Sequence, residues 1–158
     1  MNEPQGRILV VDDHQTNRNI VAKLLRKEYL LEFAETGEEC LRRVEEFQPQ
    51  VVLLDVMMPG MNGYDVCRRI KLAAGAEFRQ VIMVSGRGTV AERVMGYEHL
   101  ADDYLLKPFD HAELLCKIRV QFRLFDQFQN RAGRSAPAAA ASRIAGDPLL
   151  PAQTGTVG

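Results

Sequence analysis

Two adjacent carboxylates, Asp12 and Asp13, follow an apolar run from Ile8 to Val11, and a third, Asp55, follows another from Val51 to Leu54. A hydroxyl, Ser85, closes a third such run that begins at Val81, and a cation, Lys107, comes directly after Asp103 to Leu106. Short apolar runs that stop at Gly, Pro or polar residues read as strands buried on both faces, so each polar group stands at a strand's end. One Asp in such a place can simply cap a turn. Three brought together repel one another strongly, and a hard divalent cation that prefers oxygen ligands relieves the repulsion. Mg²⁺ suits such a set, held by Asp12, Asp13 and Asp55 with several of its waters kept for another oxygen-rich group.

The elements that must position these groups alternate along the chain. Ile20, Val21, Leu24 and Leu25 recur at helical spacing between Gln15 and about Glu28, with Arg18, Lys23 and Lys27 on the other face. Leu30 to Ala34 suits a second strand. Thr36 and Glu39 have the spacing of a capping box for a helix to about Phe47, which Pro49 ends. After the strand that closes at Asp55, Asn62-Gly63 offers a turn and cap for a helix from Tyr64 to about Ala74, with Val66, Ile70 and Ala73 facing inward. Thr89 and Glu92 form a second candidate box, for a helix through Val90, Val94 and Met95 to about His99. Asp110 and Glu113 open a last helix with Leu114, Leu115, Ile118, Phe122, Phe125 and Phe128 three or four apart. Strands alternating with helices predict an α/β fold, a doubly wound parallel sheet of five strands covered by five helices through right-handed crossovers. In such sheets ligands bind beyond the carboxyl ends of the strands, where Asp12, Asp13, Asp55, Ser85 and Lys107 all belong.

The 158 residues suit one domain, complete by about residue 130. Residues 131–158, rich in Ala, Pro and Gly, read as a disordered tail or linker. With 46% hydrophobic residues, and 20 Lys plus Arg against 21 Asp plus Glu, composition gives no field that would draw nucleic acid or acidic lipid. Cys40, Cys67 and Cys116 are odd in number and lie in helical segments, which reads as reduced structural thiols rather than disulfides or a zinc site. The start, MNEPQGR, has no apolar core of a signal peptide, and no run approaches the roughly 18 apolar residues of a membrane span, so a cytoplasmic location is expected.

Four pieces in this order, ILVVDD at Ile8 to Asp13, VVLLDVMMPGMNG at Val51 to Gly63, Ser85, and DDYLLKPF at Asp102 to Phe109, resemble the receiver domain of two-component response regulators, over about residues 6 to 126. The resemblance implies a flavodoxin-like sheet of order 2-1-3-4-5, which the spacing alone does not dictate. It implies Asp55 as the nucleophile that takes a phosphoryl group from a phosphohistidine of a sensor histidine kinase or phosphotransfer protein. Asp12, Asp13, Asp55 and the backbone carbonyl of Met57 would then ligate Mg²⁺, with Lys107 as the second cation, since phosphoryl transfer is mainly positioning and charge stabilisation. It also implies a cis Lys107-Pro108 bond, Ser85 as the hydroxyl that bonds the new phosphoryl group, and Tyr104 as a switch aromatic. Their movement would alter the face formed by the fourth helix, fifth strand and fifth helix. The product is a signalling phosphoacceptor that catalyses only its own phosphorylation and dephosphorylation.

The chain departs from the family pattern at Gly86, where Ala is usual, and at Leu100, where Gly is usual, so the exit of the fourth helix lacks glycine's left-handed freedom. His14 reads as a solvent-facing loop residue, and His99 and His111 as helix-surface residues. Phe122, Phe125 and Phe128 extend beyond what a sheet covers and suggest a homodimer or partner contact. The competing reading, a haloacid-dehalogenase-like phosphatase, requires a second acid two residues after the nucleophile, where this chain has Met57. A phosphorylation-independent docking receiver is disfavoured because every acceptor-site residue is present.

Overall fold

The computed structural model describes residues 3–73, 75 and 78–145, with side chains through residue 133. Five strands alternate with five helices: β1 (Arg7–Val11), α1 (Gln15–Leu25), β2 (Leu30–Ala34), α2 (Gly37–Phe47), β3 (Val51–Asp55), α3 (Gly63–Leu72), β4 (Gln80–Ser85), α4 (Val90–Glu98), β5 (Asp103–Leu106) and α5 (His111–Ala145). The strands form one parallel sheet in the order β2-β1-β3-β4-β5. Successive side chains on a strand point to opposite faces, and the apolar residues of β1 and β3 divide accordingly. Ile8, Val10, Val51 and Leu53 pack with Val21 and Leu25 of α1 and with Leu114, Ile118 and Phe122 of α5. Leu9, Val11, Val52 and Leu54 pack with Cys40 and Val44 of α2 and with Val66, Cys67 and Ile70 of α3. The sheet is therefore buried on both faces, as continuous apolar strands require.

Register carries the strand ends to one edge. Val11 pairs with Leu54, Asp55 with Val84, and Ser85 with Leu106, so the residues that follow these pairs emerge side by side. The turns behind them are capped as the spacing predicts. Thr36 Oγ1 accepts from Glu39 N at 3.0 Å, while the Glu39 carboxylate reaches back to Glu35 N at 2.8 Å. Thr89 Oγ1 accepts from Glu92 N, Asn62 Oδ1 from Asp65 N and Asp110 Oδ1 from Glu113 N.

Several boundaries differ from those the periodicity predicts. α1 ends at Leu25 rather than near Glu28, and α3 ends at Leu72, leaving Ala73 as an extended, exposed cap instead of an inward-facing residue. Arg18 is buried rather than solvent-facing, because it shares the stripe of Val21, Ala22 and Leu25, while Ile20 lies outside it, 39% exposed. α4 buries only Gly96 and presents Val90, Val94 and Met95 outward. Its exit is closed by Leu100 at φ +74°, a left-handed conformation that costs a non-glycine residue about 1 kcal/mol or more. Cys40 and Cys67 are buried thiols pushed up to about 12 chiefly by that burial, whereas Cys116 is exposed.

The chain divides into two units, Met1–Phe125 and Asp126–Gly158. The second contains the end of α5, whose backbone stays helical to Ala145, beyond the start at 131 of the expected tail; an Ala-rich stretch has the highest intrinsic helix propensity. Residues 146–158 of that expected tail lie outside the described residues.

Gly63 begins α3 against the end of β3. Its N–H bonds Val56 O at 3.0 Å, and a Cβ there would meet Asp55 O at 2.5 Å and Val56 Cα at 2.6 Å. Both are backbone atoms and neither can swing aside. Gly63→Ala is expected to lower stability by roughly 1–3 kcal/mol in urea unfolding; an unchanged midpoint would contradict the close approach.

Candidate functional site

β1, β3, β4 and β5 end at a cleft lined by Asp13, His14, Asp55, Met57, Gly86, Arg87 and Lys107. Asp12 lies just below its floor and is the most fully tethered acid. Its Oδ1 accepts the His14 backbone N–H at 2.8 Å, and its Oδ2 accepts from Asn17 Nδ2 at 3.1 Å and from Lys107 Nζ at 2.9 Å, a partner 95 residues away. The same ammonium stands 3.4 Å from Asp55 Oδ2, so one cation bridges two carboxylates. Asp55 Oδ1 accepts from Met57 N at 3.2 Å, a local turn that fixes the carboxylate's orientation. Asp13 is different. Its Oδ1 is buried and accepts no hydrogen bond among the described residues; the His14 Nδ1 stands 3.1 Å away but is not aligned for one.

Asp12, Asp13, His14 and Asp55 each offer a ligand atom, and these atoms lie within 4.8 Å of one another. A single Lys107 beside three carboxylates leaves negative charge in excess. Asp55, only 4% exposed, feels this directly. Burial raises its pKa above the ordinary carboxylate value; Lys107 and the Met57 N–H pull it down, and the Asp12 charge pushes it up again.

Ser85 and Tyr104 meet at a shared neighbour. The Ser85 hydroxyl, fully buried, accepts from Arg87 N at 3.0 Å, and the Tyr104 hydroxyl donates to Arg87 O at 2.8 Å. Tyr104 lies inward in this arrangement, 5% exposed. The loop after β4 is thus gripped at one residue by both hydroxyls. Lys107 N donates to Ser85 O at 2.7 Å, and the Lys107-Pro108 bond is cis.

Of the site residues named from sequence, Asp12, Asp13, Asp55, Met57 and Lys107 converge on the cleft and Ser85 stands behind it, while Tyr104 lies inside β5, opposite Met83, and reaches the loop after β4 through its hydroxyl. Two groups were not assigned to the site. Arg18 donates from Nη1 to Asp12 O at 2.6 Å and lies 3.8 Å from the Glu35 carboxylate, so it braces the loop that carries the acid pair. The available signal was its spacing, since 18, 21, 22 and 25 form one helical face. His14 is 69% exposed, as its loop position predicts, yet its ring turns toward the acids. His99 is bonded through Nδ1 to Met95 O and does not reach the cleft.

An acid-lined cleft at the carboxyl edge of a 2-1-3-4-5 parallel sheet is the arrangement that the resemblance to receiver domains implies, and comparison with known proteins agrees. Residues 8–119 match the family model described as the response regulator receiver domain, and the chain belongs to that family. It is 37% identical over 127 residues to the DNA-binding response regulator MtrA of Mycobacterium tuberculosis, a match that covers 80% of this chain and 54% of that protein. A putative response regulator from Chloroflexus aurantiacus superposes with a TM-score of 0.72 at 30% identity, over 77% of this chain and 99% of that one. The BeF3-activated receiver domain of DrrB, a protein of Thermotoga maritima, superposes with a TM-score of 0.69 at 32% identity, over 75% of this chain and 97% of that one. The chain spans about half the length of the curated relatives it matches. The MtrA relatives are named as DNA-binding response regulators, a partner that this chain's composition does not suggest. Among the described residues no helix is long and apolar enough to cross a membrane.

The raised pKa of Asp55 has a measurable consequence. A buried carboxylate that resists ionisation costs stability when charged, and that cost fades as pH falls through its raised pKa toward the ordinary value of 3.8. In the presence of a chelator, Asp55→Asn is expected to be more stable than wild type by about 1 kcal/mol at pH 7, with the advantage shrinking toward pH 4. Urea denaturation across that range checks it, and a pH-independent difference would contradict the burial cost.

Proposed function

We propose that Asp55 is the phosphoacceptor of a two-component or phosphorelay pathway, with a phosphohistidine of a sensor kinase or phosphotransfer protein as the donor. The observation that carries this reading is the Lys107 ammonium held between Asp12 and Asp55, beside an Asp13 oxygen with no partner. A carboxylate oxygen of Asp55 forms the new O–P bond as the P–N bond to the donor imidazole breaks, and the electron pair of that bond returns to the ring nitrogen, which takes up a proton. Because the transferring group spreads its charge over three oxygens, positioned cations matter more here than acids or bases. Lys107, already 3.4 Å from Asp55, is placed to accompany the phosphoryl group. The Met57 N–H holds one Asp55 oxygen and leaves the other as the attacking atom.

The donor set fits Mg²⁺. Asp12, Asp13 and Asp55 offer hard carboxylate oxygens, the orphaned Asp13 Oδ1 needs a positive partner, and the Met57 carbonyl completes the expected ligands. When bound, the ion supplies the positive charge that the three carboxylates and the phosphoryl oxygens require.

A phosphoryl group on Asp55 would take the Ser85 hydroxyl as a hydrogen-bond donor and draw it toward Asp55, displacing the oxygen that now accepts from Arg87 N. Displacement of that acceptor shifts the loop at Arg87, and Tyr104, whose hydroxyl donates to Arg87 O, follows it. The outcome is a change on the face of α4, β5 and α5, where Val90, Val94, Met95 and Leu106 are already exposed. Met57, two residues beyond Asp55, supplies no acid for release of the group onto water, which favours a signalling phosphoacceptor over a turnover phosphatase.

Incubation with Mg²⁺ and acetyl phosphate is expected to add one phosphoryl group, stable in acid and labile in base, as read by mass spectrometry. Asp55→Asn should abolish the adduct, chelation of the metal should suppress it, and Lys107→Ala should slow its formation by roughly a hundredfold. An adduct of equal yield on Asp55→Asn would overturn the assignment.

A further inference from the structure

His14 is an imidazole placed against the acid pocket with no other task. It is the N-cap residue of α1, yet its side chain makes no capping hydrogen bond, and its own N–H is spent on Asp12 Oδ1. Its Nδ1 stands 3.1 Å from Asp13 Oδ1 and 3.5 Å from Asp12 Oδ1. Donors about 2.1 Å from a common metal are separated by about 3.0 Å along an octahedral edge and about 3.4 Å along a tetrahedral one. The two distances match such edges. Asp13 Oδ1, the nearer neighbour, is also the buried oxygen that accepts no hydrogen bond.

We propose that His14 is a fourth, nitrogen donor of the acid pocket, and that it favours imidazole-binding first-row cations such as Ni²⁺ and Zn²⁺ over Mg²⁺. This inference rests on the reading of the three carboxylates as a divalent-cation site. Carboxylate oxygens alone suit hard ions, and Mg²⁺ gains little from a nitrogen ligand. Imidazole suits nickel, copper and zinc, which stand above manganese and iron in the Irving–Williams order of affinity for a given donor set. A chain with His14 therefore binds two classes of ion at the same carboxylates, and a nitrogen-ligated ion competes with Mg²⁺ for Asp12, Asp13 and Asp55. The other groups able to capture such ions are separable from the pocket: His99 is bonded to Met95 O, His111 begins α5, Cys116 is exposed, and Cys40 and Cys67 are buried in the core.

Isothermal titration calorimetry on metal-free full-length chain, with Ni²⁺ and Mg²⁺ titrated separately, tests this. The background carries His99→Gln, His111→Gln and Cys116→Ser, which removes the competing ligands. His14→Gln and His14→Phe are each expected to lower the ratio of Ni²⁺ to Mg²⁺ affinity by roughly tenfold or more. With Cu²⁺ as probe, the nitrogen hyperfine structure in the paramagnetic resonance spectrum should be lost in both variants. An unchanged affinity ratio, or nitrogen coupling that survives in both, overturns the role of His14. Mg²⁺ binding that is absent from the background protein, or indifferent to Asp13→Asn, overturns the cation-site reading itself, so the two failures are told apart.

Discussion

Negative charge in excess at the end of a buried sheet is the constraint on which the rest of this structure depends. Three carboxylates share a cleft with one ammonium, and Asp55, almost wholly buried, resists ionisation there. Nearly every contact around them supplies partial or full positive charge: the His14 and Met57 backbone N–H groups, the Asn17 amide, Lys107, and the Arg18 guanidinium on the carbonyl beneath. The compensation stops short at Asp13 Oδ1. A site left one positive partner short attracts cations and groups that arrive with them, and both the proposed phosphoryl chemistry and the proposed metal preference rest on that shortfall.

The sheet creates this situation without forcing any of the three acids into a left-handed backbone conformation. Parallel strands in register deliver their last residues to a common edge, and the strand order sets β1 beside β3, so acids distant in sequence become neighbours. Lys107 reaches Asp12 across 95 residues because β5 ends level with Ser85, at Leu106, and Lys107 is the next residue. The apolar residues that make the strands are therefore also what aims the polar ones. Gly63 shows how tight this is: α3 starts so close to Asp55 and Val56 that the position has no room for a side chain.

Strand ends were legible in the sequence because apolar segments have abrupt limits, and β2, β3 and β5 have the bounds expected from sequence, Leu30–Ala34, Val51–Asp55 and Asp103–Leu106. The capping residues were legible for a similar reason, since a hydroxyl or carboxamide three residues before its amide partner is a local signal. What escaped depends on tertiary surroundings. Arg18 carries a charge, and only the acid loop above it makes its burial favourable. Ala73 fits an inward stripe whose helix stops one residue earlier. Leu100 takes a glycine-like backbone because the chain must turn from α4 into β5 whatever residue stands there. The ring of His14 points at the acids by the geometry of a loop that periodicity does not describe.

Arg87 is held through its own amide and carbonyl, by Ser85 on one side and Tyr104 on the other, and not through its side chain. On the proposed switch, what passes from the cleft toward α4 would travel as main-chain geometry, which any amino acid other than proline could transmit. The side chain of Arg87, a residue of the cleft lining, is released from that duty. Position 87 can thus be exchanged to adjust how visitors are received at the door while the hinge behind it keeps working unaltered.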